Sequence, residues 1–406
     1  MEIIPIDIGI NAPKTLLIFS IILSSVPLLV WMERWTAAFL GADKRCDKEW
    51  ILDIKLGGYI CTMIDFIRLF AGAEFSRKDS RKTLCGLAGV LSFLVAILAI
   101  APVPFSANIS IDQFNLVPEI ASIESGLIYS MVMLFLCSAP IFISSFVNSG
   151  GDFHEESFSQ AAYLAGYHAV AVLAAISTMI FAGTSGLSKI VAMQGDFPGD
   201  WFFAKQPLAF LAFAFSMVAI NFERIKSSAR PNTHMALISA SEYVKLFAWA
   251  LLFCTVFLGG WQVPFASSEL MIEYKKQIFS IGCPVLGVVF IFLGAGIAEK
   301  NKKVHLDLRD IEPFLAGLPL ALIGAFLLVV SMWFNHFGLP ESILDVFVAV
   351  ILAVVLMIKS LSVCFLAMLI RWKWKAAWEK CFYGYGLAAS FGAGMLSVIV
   401  TILLME

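Results

Sequence analysis

The chain has 406 residues, 60% of them hydrophobic and only 14% charged, with a formal net charge of −2. Ordinary soluble domains carry about 25% charged residues, so the composition excludes a water-soluble globular domain, and no basic tract interleaved with aromatics points to nucleic acid. Eight cysteines stand singly, with no CxxC and no local Cys/His set, so the sequence offers no metal or iron–sulfur centre.

Residues 1–13 carry no basic n-region and no small-residue cleavage site, so no cleaved signal peptide is expected. Apolar blocks of about 20 residues, the length that crosses a hydrocarbon core, then recur along the chain. The first is expected at 14–38. The tract Asp53–Phe75 differs: Leu56, Ile60, Met63, Ile64, Ile67 and Phe70 recur at three and four, while Lys55, Asp65 and Arg68 interrupt them. That pattern is one apolar stripe on a helix lying at the membrane surface. Further spans are expected at 83–103, 124–148, 161–183, 206–222, 235–261, 278–298, 311–334, 342–371 and 382–404. Each must be helical, because a lone segment in lipid satisfies its backbone only within itself. The expected fold class is therefore all-α: a polytopic transmembrane helix bundle of about ten spans plus one amphipathic interfacial helix.

Lys and Arg crowd the loops after spans one, five, seven and nine, whereas the alternate loops hold only Lys189, Lys205, Lys275 and Lys276. The asymmetry puts both termini on the non-cytoplasmic side of a bacterial inner (plasma) membrane. The loop after span three is the exception, an acidic patch with Asp152, His154, Glu155 and Glu156. No internal repeat and no soluble domain is evident, so the chain reads as a conduit, a binding surface or one component of a larger machine.

The charges inside apolar spans carry the functional reading, since an ionised side chain in lipid costs about 3 kcal/mol even on insertion scales. Glu242 and Lys245 are three apart and share a helix face. They are either a proton relay or a static pair. His168 lies mid-span beside Tyr163 and Tyr167, where an imidazole either passes a proton or rests neutral on a helix carbonyl. Lys359 has apolar residues on both sides and needs a carboxylate from another helix, with Glu242 one candidate. Glu33 and Arg34 end span one, where a snorkelling interfacial pair is the plainer reading. Asp65 and Arg68 have a similar plain reading as an i,i+3 surface pair. The tract Arg371–Trp378, alternating Trp with Lys, reads as an interfacial anchor.

Several segments, taken in order, resemble the H-type subunit of respiratory complex I, a family shared with membrane-bound energy-converting hydrogenases. Trp31-Met32-Glu33-Arg34 resembles the Glu-Arg at the end of that family's first helix. Gly57-Gly58 and Met63 through Phe70 resemble its Ala-Asp-x-x-Lys-Leu helix, with Arg68 for Lys. Ala101-Pro102-Val103-Pro104 is similar to a proline-containing exit from span two. Ser241-Glu242-Tyr243 matches Ala-Glu-Tyr, the same span closes with Phe257 through Trp261, and Lys359 and Arg371 keep the family's separation. The resemblance covers 14–264 and 345–404. It implies that Glu33, Arg34, Asp65, Arg68, Glu223 and Arg224 line a cavity facing a docked soluble arm. It also implies that Glu242, Lys245, His168 and Lys359 form a proton or charge relay.

The departures from the family are specific. Its long acidic loop between spans five and six is reduced to 220–232, and Gly41–Lys48 replaces a Gly-Pro-Asn stretch. His168 stands after Tyr167 where a glutamate is expected. Residues 265–344 insert an extra pair of spans, which divides the chain into a core (1–264), the inserted pair and two final spans (345–406). The function implied is a membrane-arm subunit that joins a peripheral redox arm to ion-translocating subunits and helps couple electron transfer to proton or sodium movement. The chain itself is expected to hold no cofactor and no metal. Quinone is the one cofactor the resemblance leaves open, and the shortened loop weighs against it. The expected partners are other membrane-arm subunits, a cytoplasmic redox arm and membrane lipid. The rival readings are a stand-alone secondary transporter and a non-catalytic scaffold descended from the same family.

Overall fold

Among the described residues the apolar blocks form helices, as isolated backbone in lipid requires. The computed structural model of the chain describes residues 20, 22, 24–34, 36, 40, 80–107, 109–111, 114–116, 119–148, 155–222, 233–304, 312–337, 341–373 and 386–405. The expected surface helix, with Asp65 and Arg68, and the pair Glu223 and Arg224 lie outside the described residues.

In chain order the principal helices are α1 (24–34), α2 (Ser80–Ile100), α3 (Gly126–Asn148), α4 (Glu155–Ala182), the short α5 (Leu187–Met193) and α6 (Pro207–Phe222). They continue with α7 (Thr233–Phe257), α8 (Cys283–Val304), α9 (Glu312–Phe337), α10 (Glu341–Lys373) and α11 (Leu387–Met405). Five stretches are long and apolar enough to cross a membrane: Ala161–Ala182, Ile238–Phe257, Lys275–Gly296, Leu344–Arg371 and Leu387–Leu404. Shorter apolar helices occupy Leu87–Ile100, Gly126–Pro140, Pro207–Asn221 and Ala321–Phe334. The chain is a helical membrane protein.

One feature is not helical. Ile109–Ile111 pairs antiparallel with Phe114–Leu116, Ile109 opposite Leu116. Strands of three residues are too short to leave an alternation in the sequence, which is why the all-α reading passes over them.

α7 has neighbours all round. Its Ile238–Phe257 window is 94% buried. It packs against α2, α3, α6 and α10, while α4 lies against α6 and α11. Helices in lipid gain little from hydrophobic burial against each other and associate through close packing and interhelical hydrogen bonds. Ser92 Oγ of α2 donates to the Cys137 carbonyl of α3 (3.0 Å), and Cys137 Sγ returns a bond to the Ser92 carbonyl (3.4 Å). Ser130 Oγ donates to the Ala99 carbonyl at 2.8 Å. Between α4 and α11, Ser397 Oγ donates to Ser177 Oγ (2.7 Å), with Thr401 Oγ1 2.8 Å from Ser177 Oγ. Aromatic rings fill the α6–α7 contact, where Phe213 lies 5.4 Å from Trp249 and 5.5 Å from Phe257, centroid to centroid.

The segment expected as an inserted pair, 265–344, contains the α8–α9 hairpin. These two helices pack chiefly on each other. They meet α10 through Phe279, which lies 4.8 Å from Phe334 and 4.7 Å from Phe347. Ion pairs join Lys275 to Asp345 (2.6 Å) and Lys276 to Glu341 (3.0 Å) at one end of the hairpin. The hydrogen bond and charge of Lys276, with Lys275 behind it, hold the exposed Glu341 carboxyl below its ordinary value.

The crossing of α8 and α9 depends on two glycines. A Cβ at Gly287 would stand 2.8 Å from the Gly324 carbonyl oxygen, and one at Gly324 would stand 3.0 Å from the Ile291 nitrogen. Both obstacles are backbone and cannot swing aside. Gly324→Ala is therefore expected to force the pair apart, at a cost of about 1–3 kcal/mol. Gly296→Ala, where a Cβ meets nothing within 4 Å, serves as the neutral control. Thermal unfolding of the two variants in detergent checks this, and equal midpoints would contradict it.

Candidate functional site

Glu33 ends α1 and is only 6% exposed. A buried carboxylate must find donors or give up its charge, and here each oxygen faces one. Tyr243 Oη of α7 donates to Glu33 Oε2 at 2.6 Å. Arg371 Nη1 of α10 lies 3.5 Å from Glu33 Oε1. One carboxylate thus ties together three helices far apart in sequence. Val218, Asn221, Leu246, Ala367 and Met368 complete the walls of a cleft beside it, whose free space of about 20 Å³ has room for one water.

Two expectations change here. Glu33 and Arg34 do not act as a unit: Glu33 points into the bundle, whereas Arg34 is exposed. Arg371 is not simply part of an interfacial anchor, since its guanidinium turns inward to Glu33. Residues 374–380 of that tract lie outside the described residues. Tyr243 is legible in the sequence only as part of a motif. That its hydroxyl reaches a carboxylate 210 positions earlier has no local signal.

The polar line continues along α7. Glu242, directly before Tyr243, is half-buried; Lys245 is buried, 5% exposed. Among the described residues no hydrogen bond or ion pair reaches the Lys245 ammonium. Four residues on from Lys245, and so on the same face, stands Trp249, fully buried. Its ring meets that of His168 edge-on, 5.7 Å between centroids. His168 Nδ1 lies 2.8 Å from the Leu164 carbonyl one turn back, so Nδ1 carries the proton and Nε2 the lone pair. The Leu134 carbonyl is close to the ring, yet Nε2 has no partner of good hydrogen-bond geometry, and neither has Trp249 Nε1. Lys245, His168 and Trp249 thus bring two donors and one acceptor to one buried region between α4 and α7.

Lys359 lies elsewhere. Its ammonium donates to the carbonyls of Leu258 (2.8 Å), Gly260 (3.0 Å) and Gln262 (2.7 Å), just past the end of α7. Sixteen residues separate Leu258 from Glu242, about 24 Å of helix at 1.5 Å per residue. The expected pairing of Lys359 with Glu242 is overturned, and backbone carbonyls supply what the sequence leads one to seek in a carboxylate. The physical reason is that the turn after α7, with Gly259 and Gly260 at positive φ, aims three carbonyl dipoles at one point.

Residues 13–224 match the model of a protein family described as NADH dehydrogenase. Among curated relatives, the NADH-quinone oxidoreductase H-type subunit numbered 2 of Geobacter sulfurreducens is 26% identical over 345 residues, covering 81% of this chain and 100% of the relative. The H-type subunit numbered 1 of the same enzyme in Geobacter metallireducens is 26% identical over 293 residues, 69% of this chain and 87% of the relative. The H-type subunit of Geobacillus kaustophilus is 28% identical over 217 residues, 50% of this chain and 62% of the relative.

The Glu33 cluster yields a ranked pair of outcomes. Tyr243→Phe removes one hydrogen bond to a charge, an expected loss of about 1.5–3 kcal/mol. Arg371→Met removes an ion pair from a buried carboxylate, and the expected loss is about 3–5 kcal/mol. Unfolding of both variants in detergent measures the order, and Tyr243→Phe being the more damaging would reverse the assignment of Arg371 as the main counter-charge.

Proposed function

The chain belongs to the NADH dehydrogenase family, and on that premise we propose that it is the H-type membrane-arm subunit of a complex I-like or hydrogenase-like respiratory complex. In this reading it joins a peripheral redox arm to ion-translocating subunits and helps couple electron transfer to the movement of protons or sodium. In this reading the apolar blocks make about ten spans, and the Lys/Arg asymmetry of the loops puts both termini outside. Glu33 and Arg371 then stand at the cytoplasmic side, where a redox arm would dock. Other membrane subunits and lipid cover the rest, and the chain holds no cofactor of its own.

The observation that carries the proposal is the buried Glu33 carboxylate shared between Tyr243 and Arg371. A change of charge in the docked arm acts on this carboxylate, and Tyr243 carries the effect to α7. Glu242 is its immediate neighbour on that helix, and Lys245 lies one turn beyond Glu242. A shift in the protonation of Glu242, Lys245 or His168 then responds to the redox state, provided that state interacts differently with the two protonation forms. Coupling in this form runs through side chains alone. Asp65, Arg68, Glu223 and Arg224 belong to the same cytoplasmic cavity in this reading.

The test is Glu242→Gln in the native complex, measuring assembly, electron transfer and ion translocation separately. The proposal expects assembly and electron transfer to persist while the rate of ion translocation falls at least about tenfold. Unchanged coupling would leave a scaffold. Isolation of the chain without any redox partner, together with substrate uptake in proteoliposomes holding it alone, would make it a transporter instead.

A further inference from the structure

We infer that the carbonyls of Leu258, Gly260 and Gln262, closed on one side by the face of Trp201, form a binding site for a small primary ammonium ion, which the chain fills with its own Lys359. The inference stands apart from the coupling proposed above and uses none of the residues of the Glu33 cluster.

The geometry is that of a receptor. Three oxygens lie 2.8, 3.0 and 2.7 Å from Lys359 Nζ, one for each of the three N–H donors of an ammonium. The Trp201 ring is 4.2 Å from the same nitrogen, its centroid within cation–π range. No carboxylate pairs with Lys359 among the described residues, so the charge is matched by oriented dipoles and a ring face.

The site is also built independently of the lysine. Gly259 and Gly260 have φ of +71° and +52°, the left-handed turn that lets three alternate carbonyls converge on one point and that favours glycine. A Cβ at Gly259 would stand 2.7 Å from Trp201 Nε1, and one at Gly260 would stand 2.8 Å from Val191 Cγ2, so the backbone approaches its surroundings as closely as a glycine permits. Trp201 is fixed by its Nε1 donating to the Gly195 carbonyl at 2.9 Å. The turn is held by Gln194, whose Oε1 accepts from Gly259 N–H (2.9 Å) and whose Nε2 donates to the carbonyls of Thr255 and Val256 (both 3.0 Å). Gln262 Nε2 donates to the Val191 carbonyl at 3.1 Å and to that of Gln194. None of these bonds involves the lysine side chain, so its removal takes away only the donors to the three oxygens.

The chemistry fixes what enters. The ligand must be singly charged, carry three N–H donors at one nitrogen and be narrow enough to follow the path of the lysine stem. Primary alkylammonium ions meet all three conditions; a quaternary ammonium meets the charge condition but donates no hydrogen bond.

The experiment is Lys359→Ala in the full chain, read by thermal unfolding with n-propylammonium, tetramethylammonium or sodium chloride at equal ionic strength. The expected result is a lowered midpoint that n-propylammonium raises, increasingly with concentration as a bound ligand does, while the other two salts act weakly. The unsubstituted chain, its site already filled, is expected not to discriminate. No rise with any salt, or an equal rise with all three, would overturn the inference. If Lys359→Ala does not accumulate, acylation of lysines in the unsubstituted chain by a membrane-permeant reagent takes its place. Lys359 is then expected to react at least about tenfold more slowly than the part-exposed Lys205, and to lose that protection in Gln194→Leu; equal rates in the unsubstituted chain would overturn it.

Discussion

An ionised side chain that leaves water must be met by charge or by dipoles, and this requirement orders the interior of the bundle. The protein meets it in different ways. Glu33 is met by a hydroxyl and a guanidinium, one on each oxygen. Lys359 is met by three peptide dipoles and a ring. Lys245 is buried with no hydrogen bond or ion pair among the described residues. Groups of the first two kinds hold elements together, because their partners come from other helices or from the turn beyond α7. Lys245, by contrast, fastens no second element to α7 among the described residues.

All three lie along or beside α7, and this follows from its position. A helix buried on every side can lend polar atoms to several neighbours at once. Tyr243 reaches α1, Trp249 meets His168 of α4, and the carbonyls beyond Phe257 receive Lys359 of α10. The small residues Ala240, Ser241, Ala248 and Ala250 are all buried, allowing the neighbours to come close. The same compactness explains why the α8–α9 hairpin stands aside: α7 has no free face to offer it, so it meets α10 instead.

The helices themselves are legible in the sequence, because a run of some twenty apolar residues has one stable form in lipid. The places of the charges are legible for the same reason, since Glu242, Lys245 and Lys359 interrupt such runs. Their partners are not. Sequence reasoning seeks an acid for Lys359 because side chains are what a sequence displays, whereas the oxygens that receive it belong to the backbone and carry no letter. Gly259 and Gly260 are the available hint, a glycine pair directly after a span, but a turn of that kind does not announce what its carbonyls will face. Arg371 sits among tryptophans and lysines at a span end, and periodicity alone cannot distinguish an arginine facing headgroups from one that turns back toward Glu33. Tyr243 illustrates the limit most plainly, for a contact between positions 33 and 243 is a property of packing and not of pattern.

The two clamps constrain how the bundle can respond to a charge. Lys359 and Arg371 are both on α10, twelve residues or about 18 Å apart along the helix. One grips the end of α7; the other grips Glu33, which Tyr243 fastens back to α7. Sliding α10 along α7 by even one turn, about 5.4 Å, would pull the ammonium off all three carbonyls and the guanidinium off its carboxylate together. A sliding motion therefore carries the cost of two desolvated charges at once, whereas a change confined to the Glu33 end leaves the Lys359 end intact. The arrangement favours side-chain rearrangement near Glu33 over any slide of α10, so that the helix axes keep their places.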